Sequence, residues 1–152
     1  MKKNVIVLII IVILFGMFIT IYNSTKSKLK VDFYADNKKI NVGQEIILQI
    51  KTNKQIIATN FELIYDTESF ELIGSETENF MVSKKNDKIA CIYADITVKG
   101  IDTFKVRLKA IKETKANFEI TNSKFREVDK EESYVQDQIQ GINKKIKIQV
   151  IK

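Results

Sequence analysis

The residues that could do acid-base or nucleophilic chemistry in this sequence include carboxylates, serines, lysines and a single cysteine. The chain contains no histidine, so the usual general base at neutral pH, and with it any Ser-His-Asp or Cys-His site, is absent. Ser83 stands beside Lys84 and Lys85, and a serine-lysine pair needs a buried lysine with a lowered pKa. Asn86 and Asp87 follow directly, which is typical of an exposed turn. We therefore predict that the protein is not an enzyme and has no catalytic residue.

Two groups of neighbouring carboxylates are the remaining candidates for acid-base work or for holding calcium. Asp66 is close to Glu68, and Asp129 is close to Glu131 and Glu132. Nothing in the sequence places a second group opposite either set, and the twelve-residue calcium loop pattern is absent. An aspartate at a strand end also bonds its own backbone in a turn, which is the simpler explanation of Asp66. No metal site and no cofactor is predicted.

A single cysteine, Cys91, limits what can hold the fold together. One cysteine forms neither a disulfide framework nor a cysteine-based metal site. Ile89, Ile92 and Tyr93 surround it, which indicates a buried strand position where cysteine acts as a small hydrophobic residue. The domain must therefore be stabilised by its core, for which about 120 residues suffice.

Residues 5–22, VIVLIIIVILFGMFITIY, form an uncharged apolar run of eighteen residues. As a helix this run spans about 27 Å, close to the roughly 30 Å core of a bilayer. The competing interpretation is a cleaved signal peptide, whose apolar region is usually ~7 to 15 residues long and ends in small residues. Bulky Met17, Phe18 and Ile19 continue the run instead. A retained signal anchor over residues 1–22 is therefore predicted.

The lysines that flank this run indicate its orientation. Lys2 and Lys3 precede it, which favours a cytoplasmic N-terminus and an exported remainder. Lys26, Lys28 and Lys30 follow it and nearly balance that charge, but the N-terminal tail is very short. We expect a single-pass protein of the cell membrane with an extracytoplasmic domain.

Beyond a polar linker, residues 23–29, apolar residues recur at every second position over residues 30–152. In the run from Thr103 to Ala110, for example, apolar and polar residues alternate throughout. This period is that of strands with one buried and one solvated face, and many short strands predict an antiparallel β-sandwich of jelly-roll type. Residues 127–140 are polar enough to form a loop, an edge strand at 132–138 or a short helix. The predicted strands are 30–36, 45–52, 56–65, 69–74, 79–83, 88–95, 102–111, 116–121 and 143–151.

Charge and aromatic content narrow the classes of partner. Residues 23–152 contain 23 basic and 19 acidic residues, a net charge of about +4, and their lysines alternate with acids, so no nucleic acid partner is predicted. Sugar-binding faces usually present flat aromatic rings, and the chain has no tryptophan. Tyr65 and Tyr93 are in phase with buried neighbours, whereas Tyr34 and Tyr134 are candidates for exposure.

The stretch from Ala58 to Glu76, ATNFELIYDTESFELIGSE, reads as a strand, a tight turn and a second strand. In residue identity and pattern it resembles a segment near the start of bacterial cohesin domains, and the resemblance extends over residues 30–152. It implies a β-sandwich that binds partners without catalysing a reaction. Further segments that carry the resemblance are Val42–Glu45, Lys99–Lys109, Phe118–Glu127, Gly141 and Lys145–Ile151.

Two departures from the cohesin pattern bear on the partner. Cohesins that bind dockerins often have an asparagine and an aspartate before the phenylalanine of this strand, where this chain has Ala58 and Asn60. The segment between Asp95 and Phe104 is also shorter than the hairpin that the resemblance implies. Both changes remove polar contacts from the face on which dockerins dock.

The predicted function is that of a non-catalytic, extracytoplasmic binding or assembly module. Its partner would be a dockerin-like protein or a cell-surface polysaccharide, lying flat against one sheet. The outward polar residues Asn60, Glu62, Lys105 and Arg107 are predicted to contact it. The alternative is a structural subunit of a bacterial envelope assembly, such as a pilus, secretion or sporulation machine.

Overall fold

All regular structure in the described part of the chain is β-strand, as the period-two pattern predicts. The computed structural model describes residues 28–97, 99–127, 139–140 and 142–152. Its strands are β1 (Val31–Ala35), β2 (Lys39–Asn41), β3 (Glu45–Ile64), β4 (Phe70–Ser75), β5 (Phe80–Lys85), β6 (Lys88–Ala94), β7 (Ile101–Ala110), β8 (Thr114–Glu127), β9 (Ile139–Gln140) and β10 (Lys144–Ile151).

The long strand β3 belongs to both layers of the sandwich. Its first half pairs with β1 and β7, its second half pairs with β6 and β8, and the register shifts between Lys51 and Ile56. The first sheet is therefore β1–β3–β7–β4, and the second sheet is β2–β10–β8–β3–β6–β5. β2 and β10 are parallel, and every other ladder among the described strands is antiparallel.

Aromatic side chains join the two sheets in the core. Phe104 of the first sheet lies 5.2 Å from Phe80 and 5.3 Å from Tyr93 of the second, measured between ring centroids. Phe70 and Phe118 meet edge to face at 5.0 Å. All five rings are buried, and such pairs contribute about 0.5–1.5 kcal/mol each beyond the area they bury.

β3 and β8 differ from their predicted bounds by more than two residues. The polar run after Lys51 indicated a break between two strands, but β3 continues through it. The Thr52 hydroxyl donates to the Lys54 carbonyl at 2.7 Å and lies 3.2 Å from the Asp102 carbonyl. β8 was predicted to end at residue 121. A β-bulge at Asn122, with φ 49°, lets β8 continue, and the buried positions change from even to odd numbers there. The short strands β2 and β9 were not predicted.

Several predictions fall outside the described residues. They are the anchor at residues 1–22, most of the linker at 23–29, the uncertain strand at 132–138, the carboxylates of Asp129, Glu131 and Glu132, and Tyr134. In the part of the chain that the structure describes, no helix is long and apolar enough to cross a membrane.

Candidate partner-binding face

The four residues predicted to contact one partner lie on opposite outer surfaces of the sandwich. Asn60 and Glu62 alternate with buried Phe61 and therefore point outward from the second sheet. Lys105 and Arg107 alternate with buried residues of β7 and point outward from the first sheet. The prediction that all four share one face is wrong, because the two pairs lie on opposite outer surfaces. A flat partner can contact only one of these surfaces. Their partner-binding role stays a prediction.

The outer face of the first sheet is largely neutralised by its own ion pairs. Arg107 donates to the Glu45 carboxylate through Nε at 3.1 Å and through a terminal nitrogen at 2.5 Å. It also lies 3.7 Å from Glu76, which is 3.7 Å from the Lys105 ammonium. The hydrogen bond with Glu45 raises the pKa of Arg107. A partner on this face would have to desolvate charges that already have counter-ions.

The outer face of the second sheet carries exposed apolar side chains in register. Met81 of β5 lies opposite Ile92 of β6, and Ile92 lies opposite Asn60 of β3. Met81 is 65% exposed and Ile92 is 48% exposed. In the neighbouring row Ala58 lies opposite Ala94. Met81, Ile92, Ala58, Ala90 and Ala94 together form what we call the apolar patch.

Polar residues border the apolar patch. On the β8 side, exposed Lys124 and Arg126 lie opposite Asn60 and Ala58. In the row beyond, the Glu62 carboxylate accepts hydrogen bonds from Lys88 and Asn122, and the Lys88 bond is the main cause of its lowered pKa. Asn60 thus lies opposite Ile92 of the apolar patch, and Glu62, opposite Ala90, is engaged within the sheet.

Met81 and Ile92 were missed as candidate site residues, although the sequence contained the signal. Phe80 and Val82 on β5 point inward, so Met81 takes the outward phase. Ile92 does the same on β6, between two buried residues. A large apolar residue at an outward phase indicates a contact surface when several such residues adjoin.

The groups considered for chemistry are placed as the sequence indicates. Ser83, Lys84 and Lys85 are exposed and lead into a two-residue hairpin turn, where Asn86 has φ 55°. Asp66 accepts from the Glu68 backbone N–H at 3.1 Å, as a turn residue does. Among the described residues, no three His, Cys, Asp or Glu side chains are grouped so as to hold a metal ion.

The aromatic and thiol side chains confirm the predicted burial. Cys91, Tyr65 and Tyr93 are buried, and burial raises the pKa of all three. Tyr34 is 37% exposed on the first sheet, and its hydroxyl donates to Gln49 Oε1 at 3.3 Å. One exposed ring of this kind offers a sugar only a small stacking surface.

Comparison of the whole structure with solved structures finds cohesins. The chain is similar to a non-cellulosomal cohesin of the archaeon Archaeoglobus fulgidus, with 15% identity and a TM-score of 0.57 over 83% of this chain and 93% of that one. It is similar to a type II cohesin domain from the cellulosome of Acetivibrio cellulolyticus, with 12% identity and a TM-score of 0.55 over 83% and 93%.

A third similar structure is a type II cohesin–X-dockerin complex of Acetivibrio cellulolyticus that carries an interface mutation. The matched chain has 12% identity and a TM-score of 0.56 over 82% of this chain and 95% of that one. No family profile matches the sequence, and no curated protein matches it either. The likeness therefore lies in the fold.

Proposed function

We propose that this chain, which has a cohesin-like fold, is a non-catalytic module that binds a protein through the apolar patch. The observation that carries the proposal is the adjacency of Met81 and Ile92, two large apolar side chains exposed side by side at the outward phase of neighbouring strands. Burying them against a partner removes apolar surface from water, which favours binding by about 25 cal/mol per Å².

The border of the apolar patch indicates the chemistry of the partner. Lys124 and Arg126 would face acidic residues that surround the partner's apolar contact, because complementary charges at a rim speed association and select partners. The patch itself contains no aromatic ring, so a protein fits it better than a polysaccharide. That one similar cohesin was solved in a complex with a dockerin supports a protein partner in general.

A photo-crosslinking experiment in cells tests the proposal. A photoreactive residue at Ser83, beside the apolar patch, should capture a defined protein, and one at Gln49 on the opposite outer face should not. Ile92→Asp in the Ser83 background should abolish the capture, because a charge at the centre of an apolar contact is left without a partner. Arg107→Glu should leave the capture unchanged.

Two outcomes would overturn this assignment of the binding face. The first is capture at Gln49 that is lost on Arg107→Glu. The second is capture at Ser83 that survives both Met81→Asp and Ile92→Asp. Asn60→Ala is expected to weaken the capture without abolishing it, since Asn60 adjoins the apolar patch without belonging to it.

The proposal includes a membrane anchor at residues 1–22 and an extracytoplasmic domain at 30–152. The uncharged run at residues 5–22 and the preceding Lys2 and Lys3 support it. Alkaline phosphatase fused after Lys152 should be active, since that enzyme works only outside the cytoplasm, and an inactive fusion would reverse the orientation. Replacing residues 5–22 with an unrelated anchor should preserve binding, whereas a structural subunit of an envelope assembly would lose its function.

A further inference from the structure

Three exposed lysines gather on the second sheet, away from the apolar patch. In register, Lys39 of β2 lies opposite Gln149 of β10, and Gln149 lies opposite Lys115 of β8. One row further, Lys147 lies opposite Asn117. All five residues alternate with buried ones and are exposed on the same outer face. We call this group the basic wing.

The basic wing is distinguished by its shortage of acidic neighbours. Among the described residues, Glu119 is the single acid at the outward positions of β2, of β10 and of the half of β8 that pairs with β10. Its carboxylate accepts from Lys145 at 2.9 Å. Glu113, the next acid along the chain, lies in the exposed turn before β8. Lysines on the first sheet are placed differently, since Lys51 lies opposite Asp32 and Lys109 lies opposite Glu45.

The fold gains no ion pair with a described residue from the three lysines of the basic wing. Lys39 and Lys115 are separated by two strand spacings, roughly 10 Å, which exceeds the Debye length of about 8 Å at physiological salt, so their mutual repulsion is largely screened. Each of these lysines lies opposite the uncharged Gln149, and neither contacts a carboxylate of the described residues. A ligand that supplies negative charge explains the cluster better than stability does.

We propose that the basic wing binds a linear, phosphate-bearing polyanion other than a nucleic acid, lying across β2, β10 and β8. The basic wing contains no aromatic ring on which bases would stack. Lysine ammonium groups are point charges that suit phosphate. The amide of Gln149 lies between Lys39 and Lys115, and that of Asn117 lies opposite Lys147, and both can donate hydrogen bonds. The basic wing contains no large apolar side chain that would enter a bilayer, as surface-binding elements of membranes usually do. A flat, polar, cationic face therefore favours an extended polymer over lipid headgroups.

The basic wing is separate from the apolar patch. β8 pairs with β3 up to Glu119, and Lys115 and Asn117 lie beyond the last of these pairs. The polyanion site is thus independent of protein binding, and either proposal can fail without the other.

Titration with inorganic polyphosphate tests the site directly. The full-length chain, held in phosphatidylcholine nanodiscs, should bind polyphosphate with an affinity that falls as salt rises, because binding releases counter-ions. The triple variant Lys39→Gln, Lys115→Gln and Lys147→Gln should bind at least about tenfold more weakly and with a shallower salt dependence. Its thermal unfolding should match that of the wild type, since no ion pair is lost.

A matched variant controls for net charge. Lys51→Gln, Lys84→Gln and Lys99→Gln remove the same three charges from exposed positions elsewhere and should leave the affinity within about threefold. Equal losses in both triple variants would mean that binding reflects net charge alone and would overturn the site. Two further results would overturn it: equal binding of polyglutamate, or lysine-dependent binding to phosphatidylserine vesicles without any binding of polyphosphate.

Discussion

The carboxylate of Glu62 on β3 and the ammonium of Lys88 on β6 form an ion pair of 3.0 Å across the second sheet. Asn122 of β8 donates to the same carboxylate at 2.6 Å from its left-handed bulge conformation. Three adjacent strands are therefore linked through one side chain next to the apolar patch. Because this side chain is partly exposed, the link contributes modestly to stability.

The Glu62 link makes stability depend on pH. Lys88 and Asn122 lower the pKa of Glu62 below its usual value of about 4.5 in the folded chain. A lowered carboxylate pKa gives stability that is present above the unfolded pKa and is lost as the pH falls through the folded pKa. Glu62→Gln should lower the urea midpoint at pH 7, and its difference from the wild type should shrink below about pH 4.5. Glu113→Gln, in an exposed turn, is the control, and a difference that stays constant down to pH 3 would contradict the expectation.

Phe104 joins the two sheets, so its truncation should be among the costliest single changes. Phe104→Ala removes the contacts with Phe80 and Tyr93 at a fully buried position and should lower the free energy of unfolding by about 3–5 kcal/mol. Ile92→Ala, at an exposed apolar position, should change it by about 0.5 kcal/mol or less. Urea unfolding measures both, and equal effects would show that Phe104 is not central to the core.

Ser123 attaches the chain after β9 to β8. Its buried hydroxyl donates to the Ile142 carbonyl at 3.0 Å and accepts from the Ile142 N–H at 2.9 Å. Ser123→Ala leaves both backbone groups without this partner and should cost about 1–3 kcal/mol. Hydrogen exchange at Ile142 should accelerate in this variant and stay unchanged in Ser83→Ala, which alters an exposed hydroxyl. Unchanged exchange in Ser123→Ala would mean that solvent replaces the hydroxyl.

Cys91 should react with thiol reagents only when the domain opens. The side chain is fully buried, and burial raises the pKa of its thiol far above the usual range, so the reactive thiolate is scarce. At pH 8 its reaction with an aromatic disulfide reagent should be slow in buffer and complete within minutes in concentrated urea. Fast labelling under native conditions would show that β6 opens locally.

The alternation of apolar and polar residues predicted most strands and their buried faces correctly. Phe61, Leu63 and Tyr65 are buried as expected, and so is Cys91. The errors occur where local chemistry changes the alternation. The bulge at Asn122 shifts the phase of β8 by one residue, and nothing in the run before it signals a left-handed residue there.

The sequence by itself determined which side chains of most strands point inward, that the chain has no histidine and that it resembles cohesins. Those properties depend on residue type and on the two-residue period of a strand, which are local. Only the tertiary structure decided which outward residues share a surface. Because β3 passes from one sheet to the other, Gln49 and Asn60 of the same strand lie on opposite outer faces. The apolar patch and the basic wing depend on that crossing and on the order of strands in the sheet. The two-residue period of the sequence predicts neither the crossing nor the order.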